Sequence, residues 1–203
     1  MATAIIAVNG LAACGSSSEN QDVTAFRANA GQTSSGTWAA RYRLNTTGQK
    51  AQANVDIDHA KDQLRLDITT AQGVATNISG PTGEVSCQTS PSKKPVCLQV
   101  AALGGTPAAA LDPALRSVVQ KTLPAIASGD ADVQALGRST DPEYSKATCA
   151  RVSGNGIAAG VYCLFPDGIP ASANFPSGSI AFVQRLPAPT ASTFTPPATP
   201  RSR

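Results

Sequence analysis

Histidine is almost absent: His59 is the only one among 203 residues. A Ser-His-Asp relay would have to use it, and no G-x-S-x-G elbow is present to supply the serine. His59 stands between Asp58 and Lys61 in a stretch that reads as a polar hairpin turn, so no catalytic residue and no enzyme is expected. Aromatic residues make up only 4% of the chain, which argues against stacking platforms, aromatic sugar sites included. Charged residues are also scarce, at 14% with a net charge of +3, and no basic stripe interleaved with aromatics emerges. Nucleic acid is therefore excluded as a partner. No Cys-x-x-Cys pair exists to seed a four-thiolate metal site. The carboxylates Asp56, Asp58 and Asp62 lack the glycine and closing glutamate of an EF-hand and read as solvated hairpin charges. Neither a metal nor a cofactor is expected. Beyond Cys14 no apolar run reaches the roughly 18 residues a spanning helix needs, and no internal repeat is evident.

What is present begins at the N-terminus. Ala4, Ile5, Ile6, Ala7, Val8 and Leu11 lead into Leu11-Ala12-Ala13-Cys14-Gly15-Ser16. Small residues ahead of a cut site are what a signal peptidase accepts. The segment resembles the lipobox of bacterial lipoproteins. That resemblance implies a signal peptide over residues 1–13, a diacylglyceryl thioether on Cys14, and anchoring to the extracytoplasmic face of the cell membrane. No Lys or Arg precedes Cys14, as expected if the start is truncated.

The remaining cysteines, Cys87, Cys97, Cys149 and Cys163, allow three connectivities. Turn symmetry selects one. Cys149 and Cys163 are centred on Gly156, within Ser153-Gly154-Asn155-Gly156, and Cys87 and Cys97 on Ser92, within Ser90-Pro91-Ser92-Lys93. Each pair then sits opposite across its own hairpin, where Cα atoms approach to the ~5.5 Å a disulfide requires. Cys87–Cys97 and Cys149–Cys163 are the expected bridges, and they imply an oxidising compartment. Lys93 and Lys94 at the first hairpin tip leave two readings open, a contact with acidic headgroups or a partner, and a soluble turn.

Hydrophobic residues, 41% of the chain, suffice for one core. Residues 14–35 read as a lipidated N-terminus with a flexible Gly/Ser/Asn/Gln spacer. Residues 187–203 read as a disordered Pro/Thr-rich tail. The folded unit is expected over 36–186. Within it alternation is clean. Trp38, Ala40, Tyr42 and Leu44 share one face of a strand, Ala51, Ala53, Val55 and Ile57 a second, Leu64, Leu66 and Ile68 a third, and Val74, Thr76 and Ile78 a fourth. Turn chemistry separates them, and further strands fall near 83–88, 95–101, 146–152, 158–165 and 179–186. The period changes once. Asp112-Pro113 opens a helix along Leu115, Val118, Val119, Thr122 and Ile126, shortened or kinked by Pro124. A second short helix is expected over Ala131–Leu136. The order implies α+β architecture: a curved antiparallel sheet, a half-barrel meander, with one or two helices on its concave face.

That layout resembles the LolA-like incomplete barrels, in particular the LppX/LprG-type lipoproteins of actinobacteria. The lipobox, Gly36-Thr37-Trp38-Ala39-Ala40-Arg41-Tyr42, Asp62-Gln63-Leu64-Arg65-Leu66-Asp67 and Val161-Tyr162-Cys163-Leu164-Phe165-Pro166-Asp167-Gly168-Ile169-Pro170 carry the resemblance. It implies a membrane-anchored carrier that encloses an acyl chain or glycolipid. The wall of such a cavity would be Trp38, Tyr42, Val55, Ile57, Leu66, Ile68, Val74 and Ile78 from the sheet, and Leu115, Val118, Val119 and Ile126 from the helix. The alternative is a non-enzymatic envelope interaction or scaffold protein with a solid core, no small-molecule ligand, and a protein partner the sequence does not name.

Overall fold

The computed structural model describes residues 16–47, 52–100 and 112–201; Cys14, the signal stretch and Ala51 lie outside them. Eleven strands form one open antiparallel sheet in the order β6-β5-β4-β3-β2-β1-β11-β10-β9-β8-β7. They are β1 (Trp38–Thr46), β2 (Ala53–Ala60), β3 (Gln63–Thr70), β4 (Gly73–Gly80), β5 (Gly83–Thr89), β6 (Val96–Gln99), β7 (Asp132–Arg138), β8 (Thr148–Ser153), β9 (Gly160–Leu164), β10 (Pro170–Phe175) and β11 (Gly178–Arg185). Each meander pairs neighbours in sequence, and the two join where β1 pairs with β11. Helical segments cover one face, here called inner: α1 (Ser16–Ser35), α2 (Asp112–Ser117), a π-helical turn (Val118–Thr122) and α3 (Leu123–Ser128).

The first three strands follow the period-two reading. Ala40, Tyr42, Val55, Ile57, Leu66 and Ile68 are buried on the inner face, and register sets them side by side, with Ala40 opposite Ile57, Ile57 opposite Leu66 and Val55 opposite Ile68. Helical periodicity is equally visible in Leu115, Val118, Val119, Thr122 and Ile126, all buried. Pro124 lacks an N–H to continue the α ladder. The helix absorbs this by widening to a π turn, in which the Leu123 amide donates to the Val118 carbonyl. Gly129, at φ 92°, ends α3 in the left-handed region that glycine tolerates.

Three expectations are corrected. Residues 16–35 are a helix rather than a spacer. Its polar sequence hides a narrow seam: Phe26, Ala30 and Thr33, at helical spacing, are buried. Small side chains let it approach α3 closely; a methyl placed on Gly31 would lie 3.8 Å from Ala127 Cβ. Residues 132–138 form β7, an edge strand, not a helix, since pairing with β8 (Val133 opposite Val152) overrides a short ambiguous pattern. The C-terminal stretch is ordered across the outer face. Leu186 N–H donates to Ala39 O (3.0 Å), a 3₁₀ turn runs over Ala191–Phe194, and Arg201 N–H donates to Cys97 O (3.0 Å).

The disulfides Cys87–Cys97 and Cys149–Cys163 each join directly opposed residues, with Cα atoms 4.1 and 4.0 Å apart. Both lie on the outer face. Cys149 and Cys163 adjoin a small second core of Tyr144, Ala147 and Ala171, with Phe165, Ala181 and Phe182 packed against it. Phe165 meets Tyr144 and Phe182 edge-on, with centroids 6.2 and 5.2 Å apart.

The Pro166-Asp167-Gly168 turn fastens α1 to the sheet. Thr33 Oγ1 donates to Gly168 O, and Gly168 sits at φ 86° with its Cα facing Asn29 O and Thr33. A Gly168→Ala change meets both the strained φ and the helix backbone. It is expected to lower unfolding free energy by about 2 kcal/mol or more, read from urea midpoints against Gly83→Ala, which shares a positive φ (110°) but whose added methyl meets nothing within 4 Å, so the difference reports the clash with α1.

Candidate functional site

The inner face carries most of the residues expected to wall a cavity. Trp38 and Tyr42 from β1, Val55 and Ile57 from β2, Leu66 and Ile68 from β3, and Leu115, Val118, Val119 and Ile126 from the helices belong to one contiguous buried cluster. Phe26 and Ala30 of α1 and Tyr162, Leu164 and Ile180 of the second meander complete it. These side chains pack against one another, as interiors at native density do.

Val74 and Ile78 do not join them. Register places Ala75 beside Ile68, Asn77 beside Leu66 and Ser79 beside Leu64, so these three face inward. Val74, Thr76 and Ile78 share the outer face with Thr69, Asp67 and Arg65. A one-residue offset reverses every side chain of a strand, and here the apolar alternation marks an outer face that is also covered. Thr76 donates to Asp67 (2.5 Å), and Ile78 is buried beneath the C-terminal segment's path. Gln120 of the π turn donates to Ser79 Oγ (2.6 Å), tying the helix to the inner side of β4. Asn77 is 3% exposed, yet neither its Nδ2 nor its Oδ1 finds a partner, and the buried Tyr42 hydroxyl also lacks one. Burial raises the Tyr42 phenol well above its usual range, with the Arg185 charge lowering it and Asp167 raising it. Buried polar groups are ordinarily paired, so these atoms, like Arg27 Nε and Thr148 Oγ1, stand out in a largely apolar interior. Sequence reasoning placed Tyr42 inward but missed Asn77, because a polar residue in period-two alternation is assigned to solvent.

His59 is corrected more sharply. It lies within β2, opposite Trp38 and Leu64, and is 5% exposed. Its Nδ1 is 2.8 Å from Gly36 O, and since a carbonyl only accepts, Nδ1 carries the proton. Its ring stacks on Trp38 (centroids 5.6 Å apart, 25° between planes), whose indole N–H donates to Thr33 O at 2.9 Å. The pair therefore clamps the end of α1 onto the sheet. Burial holds the imidazole below its usual pKa, the Gly36 bond partly opposing this. The turn that follows is shorter than expected, because β2 continues to Ala60 and β3 starts at Gln63.

The carboxylates lie on the outer face. Asp56 holds Arg41 in a two-point pair (2.6 and 2.7 Å), and Asp67 accepts from Arg65 Nε (2.8 Å). Asp58, half-buried, has its carboxyl pushed up to about 6, first by burial and then by the Asp67 charge, against the lowering effect of Arg65. Among the described residues no group of three or more His, Cys, Asp or Glu side chains is placed to hold a metal, and no helix is long and apolar enough to cross a membrane.

Several crevices open at the surface. One of about 340 Å³ lies between the end of α1, the start of β1 and the Asp167–Arg185 ion pair (2.5 Å). A smaller one, about 180 Å³, opens beside His59, Leu64, Val119 and Pro124, where the helices meet the β2–β3 turn. A third, about 440 Å³, lies on the outer face between Leu136, Tyr144, the Cys149–Cys163 bridge and Asn174.

Neither a family model nor a curated protein matches the chain. Among solved structures, 34 chains match it. One belongs to the complex of MucA and MucB from Pseudomonas aeruginosa, at 12% identity and a TM-score of 0.49, covering 87% of this chain and 61% of that one. This chain thus spans about three fifths of the matched chain's length. The two disulfides fit an oxidising, extracytoplasmic compartment.

A raised carboxyl pKa favours the native state at low pH, and that benefit is lost as pH rises from about 4 through about 6. Asp58→Asn is therefore expected to stabilise the protein by about 1 kcal/mol at pH 7, allowing for solvent around the carboxylate. At pH 3.5 the gain disappears. Urea unfolding at the two pH values checks it; equal gains at both would show that charge is not the cause.

Proposed function

We propose that this protein is a non-enzymatic, extracytoplasmic interaction protein of the cell envelope, tethered through a lipid on Cys14, with a solid core and its binding done at the surface. The observation that carries this reading is the packing of the inner face. Ten of the twelve residues expected to wall a ligand cavity belong to one contiguous buried cluster between sheet and helices, which supports a filled interior. Inward-facing alanines, Ala40, Ala53, Ala150 and Ala173, allow helices to approach closely rather than leaving room beneath them. The lipobox-like stretch around Cys14 supports the tether, and the disulfides support the compartment.

A second reading keeps a lipidic ligand between sheet and helices. It is favoured by the unpartnered Asn77 amide and Tyr42 hydroxyl inside the apolar interior, and by a π turn in the covering helix, a geometry often found at functional sites. The crevice beside Val119 would be its mouth.

Native mass spectrometry of the protein purified from its own source separates the two. The expected result is the mass of the protein with its anchor and nothing more. An additional lipid mass, lost on Val119→Trp, would overturn the solid-core reading in favour of the carrier. The tether is tested separately. Cys14→Ser should abolish palmitate labelling and move the protein from the membrane to the soluble fraction; unchanged labelling would sink the assignment.

A further inference from the structure

The C-terminal segment makes a detachable strap. Leaving β11, it passes Ala39 and lays its 3₁₀ turn on β3, where Arg65 donates to Thr193 O (2.7 Å) and Phe194 is buried. It ends beside edge strand β6 as a single parallel bridge, Arg201 N–H to Cys97 O (3.0 Å) and Gln99 N–H to Arg201 O (3.3 Å). Its path crosses the outer side of β4 and β5, where Ile78, Thr76 and Cys87 are buried. Few bonds hold this cover. Pro196, Pro197 and Pro200 have no N–H to give, so among the described residues of the strap Arg201 alone reaches the β6 ladder, and Val96 at that edge remains 51% exposed.

We propose that the outer face of β3–β6 is a peptide-docking surface, filled in cis by residues 187–201, and that a partner's extended segment of the same chemistry replaces them. The strap itself shows what the surface accepts. It is an acid-free, Pro- and Thr-rich chain with one aromatic anchor, a carbonyl for Arg65, and backbone groups for the open β6 edge. Proline-rich segments lose little conformational entropy on docking, and strand addition at an edge supplies affinity without demanding side-chain identity. Arg65 is already oriented by Asp67, so it presents a donor outward whichever chain lies over it. This inference rests on the surface-binding reading and names the surface.

The test uses the full-length protein and a fluorescent peptide with the sequence of residues 187–203. Tethering gives the strap a high effective concentration, on the order of millimolar for a short linker, so the wild type should take up little peptide. Phe194→Ser removes the anchor and should bind the peptide at least ten-fold more tightly. Hydrogen exchange at the Gln99 amide should rise in that variant and fall again when peptide is added. Arg201→Pro, which removes the donor to Cys97 O without touching the outer face, should give the same two effects should Phe194→Ser fold poorly. Unchanged Gln99 protection in both variants, with no peptide uptake, would make the strap a fixed part of the fold and overturn the proposal. A concentration-dependent dimer in place of peptide uptake would also overturn it, assigning the surface to strap exchange between copies. A bare mass in the native spectrum together with either failure leaves the interaction reading standing. A lipid mass lost on Val119→Trp removes that reading itself.

Discussion

Everything in this molecule depends on the ladder between β1 and β11. The two meanders are each locally paired, and hairpins of that kind form from neighbours in sequence. Within the sheet they are joined by Ala40–Thr46 against Gly178–Arg185, at sequence separations well above a hundred residues. The ladder slips register between Arg41 and Tyr42, which turns Tyr42 against the edge of Phe182, ring centroids 6.1 Å apart. Without that seam there are two short sheets, each with one apolar face and too few strands to bury it. With it, the inner face becomes continuous, and the segment from Asp112 to Ser128 has one surface to cross on its way from β6 to β7. Closing so long a loop is entropically costly and slow, and the interactions that offset it are those of the shared core.

The sheet is buried on both sides, but unequally. On the inner face four helical segments and large side chains do the work. On the outer face the covers are thin: the 3₁₀ turn Pro142–Tyr144, whose Tyr144 packs on Phe165 and donates to Phe182 O, and the proline-rich strap over β3–β6. Both disulfides lie on this outer side, each locking a hairpin where little apolar area is available to hold it. A covalent link of this kind restricts the unfolded chain by about 2–3 kcal/mol in the chain-entropy model. Cross-links and thin covers therefore belong together: the bridges keep the outer strands paired whether or not the cover is seated.

How much of this was legible in the sequence follows from the same asymmetry. Where the outward side chains of a strand are polar and the inward ones apolar, as in β2 and β3, period two reads true and Val55, Ile57, Leu66 and Ile68 are placed correctly. In β4 both faces are covered, and the apolar alternation of Val74 and Ile78 marks the outer one; polarity alone cannot say which side is in. The helical period of Leu115 to Ile126 was legible because one face is strongly apolar. That of α1 was not, since among its described side chains Phe26, Ala30 and Thr33 form the buried seam within a composition that reads as linker. The strap misled for a related reason. Proline and threonine predict a segment without its own regular structure, while the order of residues 187–201 comes with their contacts to the sheet beneath.

His59 makes the functional point. In the sequence it is the lone histidine and is set aside as a turn residue. In the structure it does a different job, joining Gly36 O and the Trp38 ring so that the end of α1 is held against β1 and β2. A buried imidazole with its Nδ1 proton committed to a carbonyl is a poor base, and burial lowers its pKa further. The interior likewise commits its large side chains to one another, around the unpartnered Asn77 and Tyr42 groups. To admit an acyl chain, the helices would have to lift from β3 and β4, breaking the Gln120–Ser79 bond and exposing Val118, Val119 and Leu123. Displacing the strap asks for far less: one side-chain bond, one backbone bridge and one aromatic ring. The face of least resistance is the outer one, and a binding surface there leaves the core intact.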